Sequence, residues 1–438
     1  MDYTVKEVLQ FVNENDVKFV RLAFCDIFGT MKNISILSSE LKDAFENGVS
    51  FDAVAIKGFG SIEKSDMFLF PDPATIEILP WRPQQGRVVR LFCDIKKPDG
   101  TFFENDSRRI LKNAVNKLLE KNLICKIGTE CEFYLFETDD KGNPSLIPYD
   151  NGGYFDVAPL DKGENIRREI CYCLEDMDIY PVASHHEQGP GQNEIDFKFN
   201  NADISADNLF TFKSVVKAIA SKNGLYASFM PKPLKNESGN GLHINLSLFK
   251  NELNIFKNDR ITHSKEAESF IAGVLNRIND ITLFLNPVIN SYDRFGFFEA
   301  PKYVSWSHQN RSQLIRIPAS KGSKARMELR SPDPSCNIYI ALALIIYAGN
   351  EGIENNLELP LPLNVDVYNE NNMLNNLKKL PSSISEAVEM AENSNFIKKV
   401  LPDSFVFEFI KEKKKEIKLY NSCNDKDSFI KRQYFDVL

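Results

Sequence analysis

Ser184-His185-His186-Glu187-Gln188-Gly189-Pro190-Gly191-Gln192-Asn193-Glu194-Ile195-Asp196-Phe197 sets two carboxylates, Glu187 and Glu194, on either side of a Gly-Pro-Gly turn. Such a turn folds the chain back on itself, so both side chains can be aimed into one space. Acids held that close repel and raise one another's pKa unless a cation lies between them, and a divalent metal is the simplest partner. Upstream, Ile127-Gly128-Thr129-Glu130-Cys131-Glu132-Phe133-Tyr134-Leu135-Phe136 reads as a strand, rich in β-branched and aromatic residues, whose period of two turns Glu130 and Glu132 to one side. Two further strands repeat the device. His243, Asn245 and Ser247 share a face in the stretch 241–247, and Arg326, Glu328 and Arg330 share one in 325–330. Strands that carry acids, imidazole or guanidinium on one side and apolar residues on the other describe the wall of a charged cavity.

The 438 residues suffice for two or three domains and a full core, and the composition, 43% apolar and 26% charged, is that of a globular chain. A net charge of -8 argues against nucleic acid, which rewards a basic footprint. Arg311, Arg316, Arg326 and Arg330 nevertheless form a local cationic run suited to phosphate. The eight cysteines form no CxxC pair and read as buried thiols in a reducing compartment. The first residues do not read as a signal peptide, and no apolar run approaches the ~20 residues that span a bilayer. These features predict a cytoplasmic protein that does not bind membranes.

Apolar spacing predicts a helix over residues 4–15, strands over 17–27, 31–37 and 87–95, and a helix over 40–47. Together they suggest a small mixed domain over residues 1–102 with a mostly antiparallel sheet. Asp106 reads as the N-cap of a helix reaching about residue 122. Helices over 163–178, 207–222, 264–285 and 336–353 then alternate with the charged strands, so residues 103–438 read as an α+β domain on one large sheet. A Lys-rich helix over 408–418 precedes the tail. No internal repeat is found.

Several motifs stand in one order along the chain. They are Glu130-Cys131-Glu132-Phe133; His186-Glu187 with Gly191-Gln192-Asn193-Glu194; Lys232-Pro233-Leu234 before Gly241-Leu242-His243; Asn290-Ser291-Tyr292-Asp293-Arg294; Glu299-Ala300-Pro301; Asn310-Arg311-Ser312; Ile315-Arg316-Ile317-Pro318; and Glu328-Leu329-Arg330-Ser331-Pro332-Asp333-Pro334. In this the chain resembles the glutamine synthetase family, type I, over nearly its whole length. The resemblance implies an α+β fold with an N-terminal beta-grasp-like domain and a larger C-terminal catalytic domain, whose curved, mainly antiparallel sheet is flanked by helices. It implies ATP-dependent joining of ammonium to glutamate through γ-glutamyl phosphate, with Mg2+ or Mn2+, two or more per site. It also implies twelve subunits in two six-membered rings, with active sites between neighbours.

By the same resemblance, Glu132, Glu187 and Glu194 would hold one metal, and Glu130, His243 and Glu328 a second near the ATP phosphates. The same-face geometry of the strands supports that division. Ser247, Arg311, Arg316 and Arg326 would bind ATP, while Gly239, Arg294 and Arg330 would bind glutamate and the developing acyl phosphate. Glu299 would close over the site and take a proton from the incoming ammonium, and Asp52 would come from a neighbouring subunit to the ammonium pocket. His185, His186, His263 and His308 read as structural groups, which leaves His243 as the only metal imidazole.

The chain departs from the family on the amine side. Asp52-Ala53-Val54-Ala55-Ile56 replaces Asp-Gly-Ser-Ser-Ile, Ser238-Gly239-Asn240-Gly241 replaces Asn-Gly-Ser-Gly, and the approach Arg294-Phe295-Gly296-Phe297-Phe298-Glu299 is one residue shorter. An apolar loop and an aromatic flap could admit an amine with a hydrocarbon body. A γ-glutamyl ligase for a polyamine or ethanolamine is therefore the second reading, and a non-catalytic scaffold or partner of a nitrogen regulator the third. Tyr368, in Val365-Asp366-Val367-Tyr368-Asn369, lacks the Asn-Leu-Tyr-Asp-Leu-Pro context of adenylylated members, and the chain resembles the shorter, non-adenylylated form.

Overall fold

The computed structural model describes residues 3–60, 65–256, 264–368, 374 and 376–438; His263 lies outside them. Two sheets organise the chain. The first is built from β1 (Val17–Cys25), β2 (Met31–Leu37), β3 (Val49–Asp52), β4 (Asp66–Pro71), β5 (Glu77–Ile78) and β6 (Arg87–Lys96). Its order is β2-β1-β6-β4-β3, with β5 on β6. The pairs are antiparallel except that β1 and β6 run side by side in the same direction. Helices α1 (Val5–Glu14) and α2 (Leu41–Asn47) accompany it.

The second sheet is built on β7 (Leu123–Thr138), a strand of 16 residues. It adds β8 (Pro144–Pro148), β9 (Pro181–His186), β10 (Gln192–Phe197), β11 (Asn200–Asn201), β12 (Leu225–Ser228), β13 (Leu242–Lys250), β14 (Leu253–Asn254), β15 (Trp306–His308), β16 (Ile315–Ile317) and β17 (Met327–Leu329). Its main path is β15-β16-β17-β13-β7-β10-β9. One face is apolar: Cys125, Ile127, Cys131, Phe133 and Leu135 of β7 are at most 1% exposed. Against that face pack α3 (Ser107–Leu119) and α5 (Ala202–Lys222), whose Phe212 meets Phe133 edge-on. The remaining helices are α4 (Glu164–Glu175), α6 (Lys265–Leu285), α7 (Ile338–Glu354), α8 (Ile384–Asn393), α9 (Asn395–Val400), α10 (Asp403–Ser422) and α11 (Lys426–Ile430). The run Ile338-Tyr339-Ile340-Ala341-Leu342-Ala343-Leu344-Ile345-Ile346 is apolar all round, so α7 is buried, between α3 and α6. Among the described residues no helix is long and apolar enough to cross a membrane.

Most expected elements fall within a few residues of their observed positions. Asp106 caps α3, its Oδ1 accepting from the Arg108 amide at 3.0 Å. Helix α5 begins at Ala202 rather than near 207, because Asp203 and Ser205 interrupt the apolar stripe that announces it; the Ser205 hydroxyl donates to the Ile127 carbonyl instead. Arg108 ties the two sheets together: its guanidinium donates to Asp72 of the loop after β4, to Asp94 of β6 and to Asp207 of α5 at 2.9, 3.3 and 2.8 Å.

Helices α6 and α7 touch through backbone. A Cβ on Gly273 would lie 2.2 Å from the Ala348 carbonyl oxygen, and one on Gly352 2.1 Å from that of Ser269. Neither neighbour is a flexible side chain that could swing aside. Gly273→Ala is expected to destabilise the fold by about 1–3 kcal/mol or more, the range for overpacked cores. Urea unfolding of the variant, with an unchanged midpoint as the contrary result, checks this.

Candidate active site

Strand register decides which polar side chains meet. Residues directly opposite in an antiparallel pair project to the same side about 5 Å apart. In β9, β10 and β7, His185 stands opposite Glu194 and Glu194 opposite Glu132. One step along, Asp196 stands opposite Glu130 and Glu130 opposite His243 of β13. A third row runs Asn245, Glu328, Arg316. Acids therefore gather towards the β10–β9 end of the sheet and guanidiniums towards the β16–β17 end.

The turn between β9 and β10 places Glu187. The Glu187 amide donates to the Gln192 carbonyl at 2.8 Å and the Gln192 amide to the Gly189 carbonyl at 2.9 Å. Gly191 takes a φ of +70°, where a side chain would be strained, and a Cβ there would lie 2.7 Å from the Leu135 carbonyl oxygen.

The charged face opens into a cavity of about 590 Å3. Glu130, Glu132, Glu187, Glu194 and His243 line it, as do Gly239, Arg294, Glu299, Arg311, Arg316, Arg326 and Arg330. Among the described residues lining the cavity, two groups have ligand atoms within 4.8 Å of one another: Glu130, Glu194 and His243, and His185, Glu187 and Glu194. Glu194 belongs to both. His185, expected to be a bystander, lies with Nε2 2.9 Å from Glu187 and 3.7 Å from Glu194. Glu328, 1% exposed, sits beneath the cavity at 2.5 Å from Arg330, 2.6 Å from Arg316 and 3.8 Å from His243.

The electrostatics follow from this crowding. Burial, then Glu187, pushes Glu132 up to about 7. Burial, then Glu130, pushes Asp196 to about 7, and burial with Asp196, Glu132 and Glu130 drives Glu194 well above the carboxylate range. Against its burial, the hydrogen bond and charge of His243, with help from Asn245, hold Glu130 down to about 2. Glu328 is also lowered, by Arg330, His243 and Arg316 acting against burial. The Asp196 Oδ1 is buried without a hydrogen-bond partner. A wall of oxygen donors whose charged forms repel, with imidazole beside them, fits hard divalent cations.

The flap residues carry backbone strain. Phe298 and Glu299 both adopt left-handed φ, 47° and 64°, although neither is glycine. The Glu299 carboxylate lies 3.4 Å from the Arg330 guanidinium, and the Tyr368 hydroxyl donates to the Ala300 carbonyl at 3.2 Å. Tyr368 thus stands at the base of the flap. Two more of the expected residues are Asp52, expected to serve a neighbouring subunit's site, and Ser247. Asp52, at the end of β3, does not line this cavity, and its Oδ1 accepts from the Val54 amide at 2.9 Å. The Ser247 hydroxyl donates to the Ala325 carbonyl at 2.9 Å and is likewise not on the cavity.

The sequence alone assigns no role to Tyr154, Phe155, Asp196 and Lys232, all of which line the cavity. Asp196 was within reach, two residues beyond Glu194 on the same strand face. Tyr154 and Phe155 lie in an irregular loop, where no periodicity marks a direction.

Residues 16–98 match the family model for the glutamine synthetase beta-Grasp domain, and residues 104–430 that for its catalytic domain. Curated relatives include the glutamine synthetase of Clostridium saccharobutylicum, 47% identical over 92% of both chains, and that of Methanosarcina mazei, 46% identical over 94% of both. That of Staphylococcus aureus is 44% identical over 96% of both. Among solved structures, a GmaS/ADP complex superposes with a TM-score of 0.88 at 28% identity over the full length of both chains. A Plasmodium falciparum glutamine synthetase gives 0.86 at 27% identity over 97% of this chain and 98% of that one. With both family models matched in order and the carboxylate rows in register, the chain belongs to the glutamine synthetase family.

Proposed function

We propose that the chain is an ATP-dependent glutamate–ammonia ligase that forms glutamine through γ-glutamyl phosphate. The observation that carries this is one cavity in which Glu130, Glu132, Glu187, Glu194 and His243 face Arg311, Arg316, Arg326 and Arg330. A carboxylate is a poor acyl donor because its leaving group would be oxide. Phosphorylating it first solves that problem, and phosphoryl transfer asks for positioning and charge neutralisation.

Glu132, Glu187 and Glu194, with His185 beside them, would hold one divalent ion, and Glu130, His243 and Glu328 a second. Bound there, such ions, Mg2+ or Mn2+, neutralise phosphate charge and polarise its oxygens. Arg311, Arg316 and Arg326 bind the ATP phosphates, since planar guanidinium groups match phosphate oxygens. Arg294 and Gly239 seat the glutamate, whose γ-carboxylate oxygen attacks the γ-phosphorus while the bond to ADP breaks. Glu299 takes a proton from ammonium; the resulting ammonia attacks the acyl carbon, and phosphate leaves with the former carboxylate oxygen and the second proton lost from nitrogen. Arg330, paired with Glu328 and Glu299, holds the charge that develops there. Asp52 would be supplied by a neighbouring subunit of a dodecamer of two hexameric rings. We place the boundary between the two domains at residues 102/103 and the protein in the cytoplasm.

A γ-glutamyl ligase for another amine is not favoured. The curated relatives at 44–47% identity are named glutamine synthetase. Glutamate-dependent phosphate release with Mg2+ and ATP should show the highest kcat/KM with ammonium across a panel of small amines. Preference for an alkyl amine by tenfold, about 1.4 kcal/mol, would reverse this assignment.

Truncating Glu328 would strand the buried Arg330 and the partly buried Arg316 at a cost of about 3–5 kcal/mol, so the isosteric change isolates its chemistry. Glu328→Gln is expected to lower phosphate release by about 100-fold or more while the variant still folds. Near-normal turnover in that variant would remove Glu328 from the ligand set.

A further inference from the structure

Behind the carboxylate wall lies a second knot of charge. Asp150, Asp161 and His186 are at most 3% exposed and bring ligand atoms within 4.8 Å of one another. This is not an open cation site, because these groups already have protein partners. Arg167 spans Asp161 at 3.1 and 2.6 Å and donates also to Asn193 Oδ1 at 2.6 Å. Asp150 Oδ1 accepts from the amides of Gly152 and Gly191 at 3.2 and 2.9 Å, and its Oδ2 from the Lys162 amide at 3.0 Å. The His186 ring bridges outwards from it, with Nε2 2.8 Å from Asp150 Oδ1 and Nδ1 2.7 Å from the Glu187 carbonyl oxygen.

The knot reaches three parts of the site at once. It grips Glu187 through its carbonyl, the β9–β10 turn through Gly191, and the loop of residues 150–162 through Gly152 and Lys162. That loop presents Tyr154 and Phe155 to the cavity. Their rings stack at 4.1 Å and meet His185 edge-on at 5.7 and 4.8 Å, and the Phe155 amide donates to the His186 carbonyl at 3.1 Å. The loop backbone presses on the imidazole: a Cβ on Gly152 would lie 2.8 Å from Nε2.

We propose that the Asp150–His186 couple is a positioning device that sets Glu187, and the Tyr154-Phe155 wall with it, relative to Glu132 and Glu194, and so fixes the strength of the divalent-ion site on that side of the cavity. This rests on the assignment of Glu132, Glu187 and Glu194 as ligands. Partners one bond removed from a ligand fix its orientation, and their loss commonly costs 10–100-fold in metal affinity. The other site, Glu130, His243 and Glu328, is carried by β7, β13 and β17 rather than by the turn the couple grips.

Titrating the full chain with Mn2+, and following free Mn2+ by electron paramagnetic resonance, resolves the binding classes without any need for turnover. His186→Ala should weaken one class about 10–100-fold and leave the other within about twofold. Asp150→Asn keeps the shape and should weaken the same class, as should Gly152→Ala, which displaces the ring without touching Glu187. If the wild-type chain binds no Mn2+, the ligand assignment falls and the positioning role with it. If the wild type shows two classes and Asp150→Asn and Gly152→Ala match it, or if both classes weaken equally, the positioning role is wrong while the ligand assignment stands.

Discussion

Like charges crowded on one face of a sheet are the constraint to which the site answers. Glu130, Glu132, Glu194 and Asp196 project from adjacent strands in register, with Glu187 at the turn beside them. In water such a set would spread apart; here the backbone ladder holds it. The repulsion is partly relieved from below, where Arg316 and Arg330 clasp Glu328, and partly by His243 against Glu130. Burial first, and then the repulsion left over, raise the affinity for protons at Glu132, Glu194 and Asp196. That is the electrostatic signature of a surface suited to cations.

The rigidity this requires comes from the other face. The same strand that aims Glu130 and Glu132 outwards buries Cys131 and Phe133 against α5, so the acids cannot retreat without opening the core. Helices α6 and α7, touching through backbone at Gly273 and Gly352, complete that support. Exposure and backbone strain are found instead at the flap, where Phe298 and Glu299 adopt left-handed backbone and more than 40% of the Glu299 side chain is exposed. A fixed acidic wall facing an exposed, strained flap suits a reaction in which a water-sensitive acyl phosphate must be covered once formed.

Much of this was legible in the sequence, for physical reasons. Period two in β7 and β13 gave the facing of Glu130, Glu132 and His243, and the Gly-Pro-Gly turn announced the hairpin. Side-chain direction within a strand is a local property. What was not legible depended on contacts distant in sequence. The nearness of His185 to Glu187 and Glu194 follows from its register against Glu194, and the pairing of His186 is with Asp150, 36 residues away. Three-residue strands such as β15 and β16 carry too few residues to show a period. A strand face says which side Ser247 takes but not where its hydroxyl turns, which is to the Ala325 carbonyl.

The central claim is that the two halves of the cavity cooperate to make an acyl phosphate, so that an oxygen of the glutamate γ-carboxylate departs with phosphate. Running the reaction with glutamate labelled with 18O in that carboxylate, and weighing the inorganic phosphate by mass spectrometry, tests it directly. One 18O per phosphate released is the predicted result. Phosphate free of label, alongside normal glutamine formation, would contradict the route.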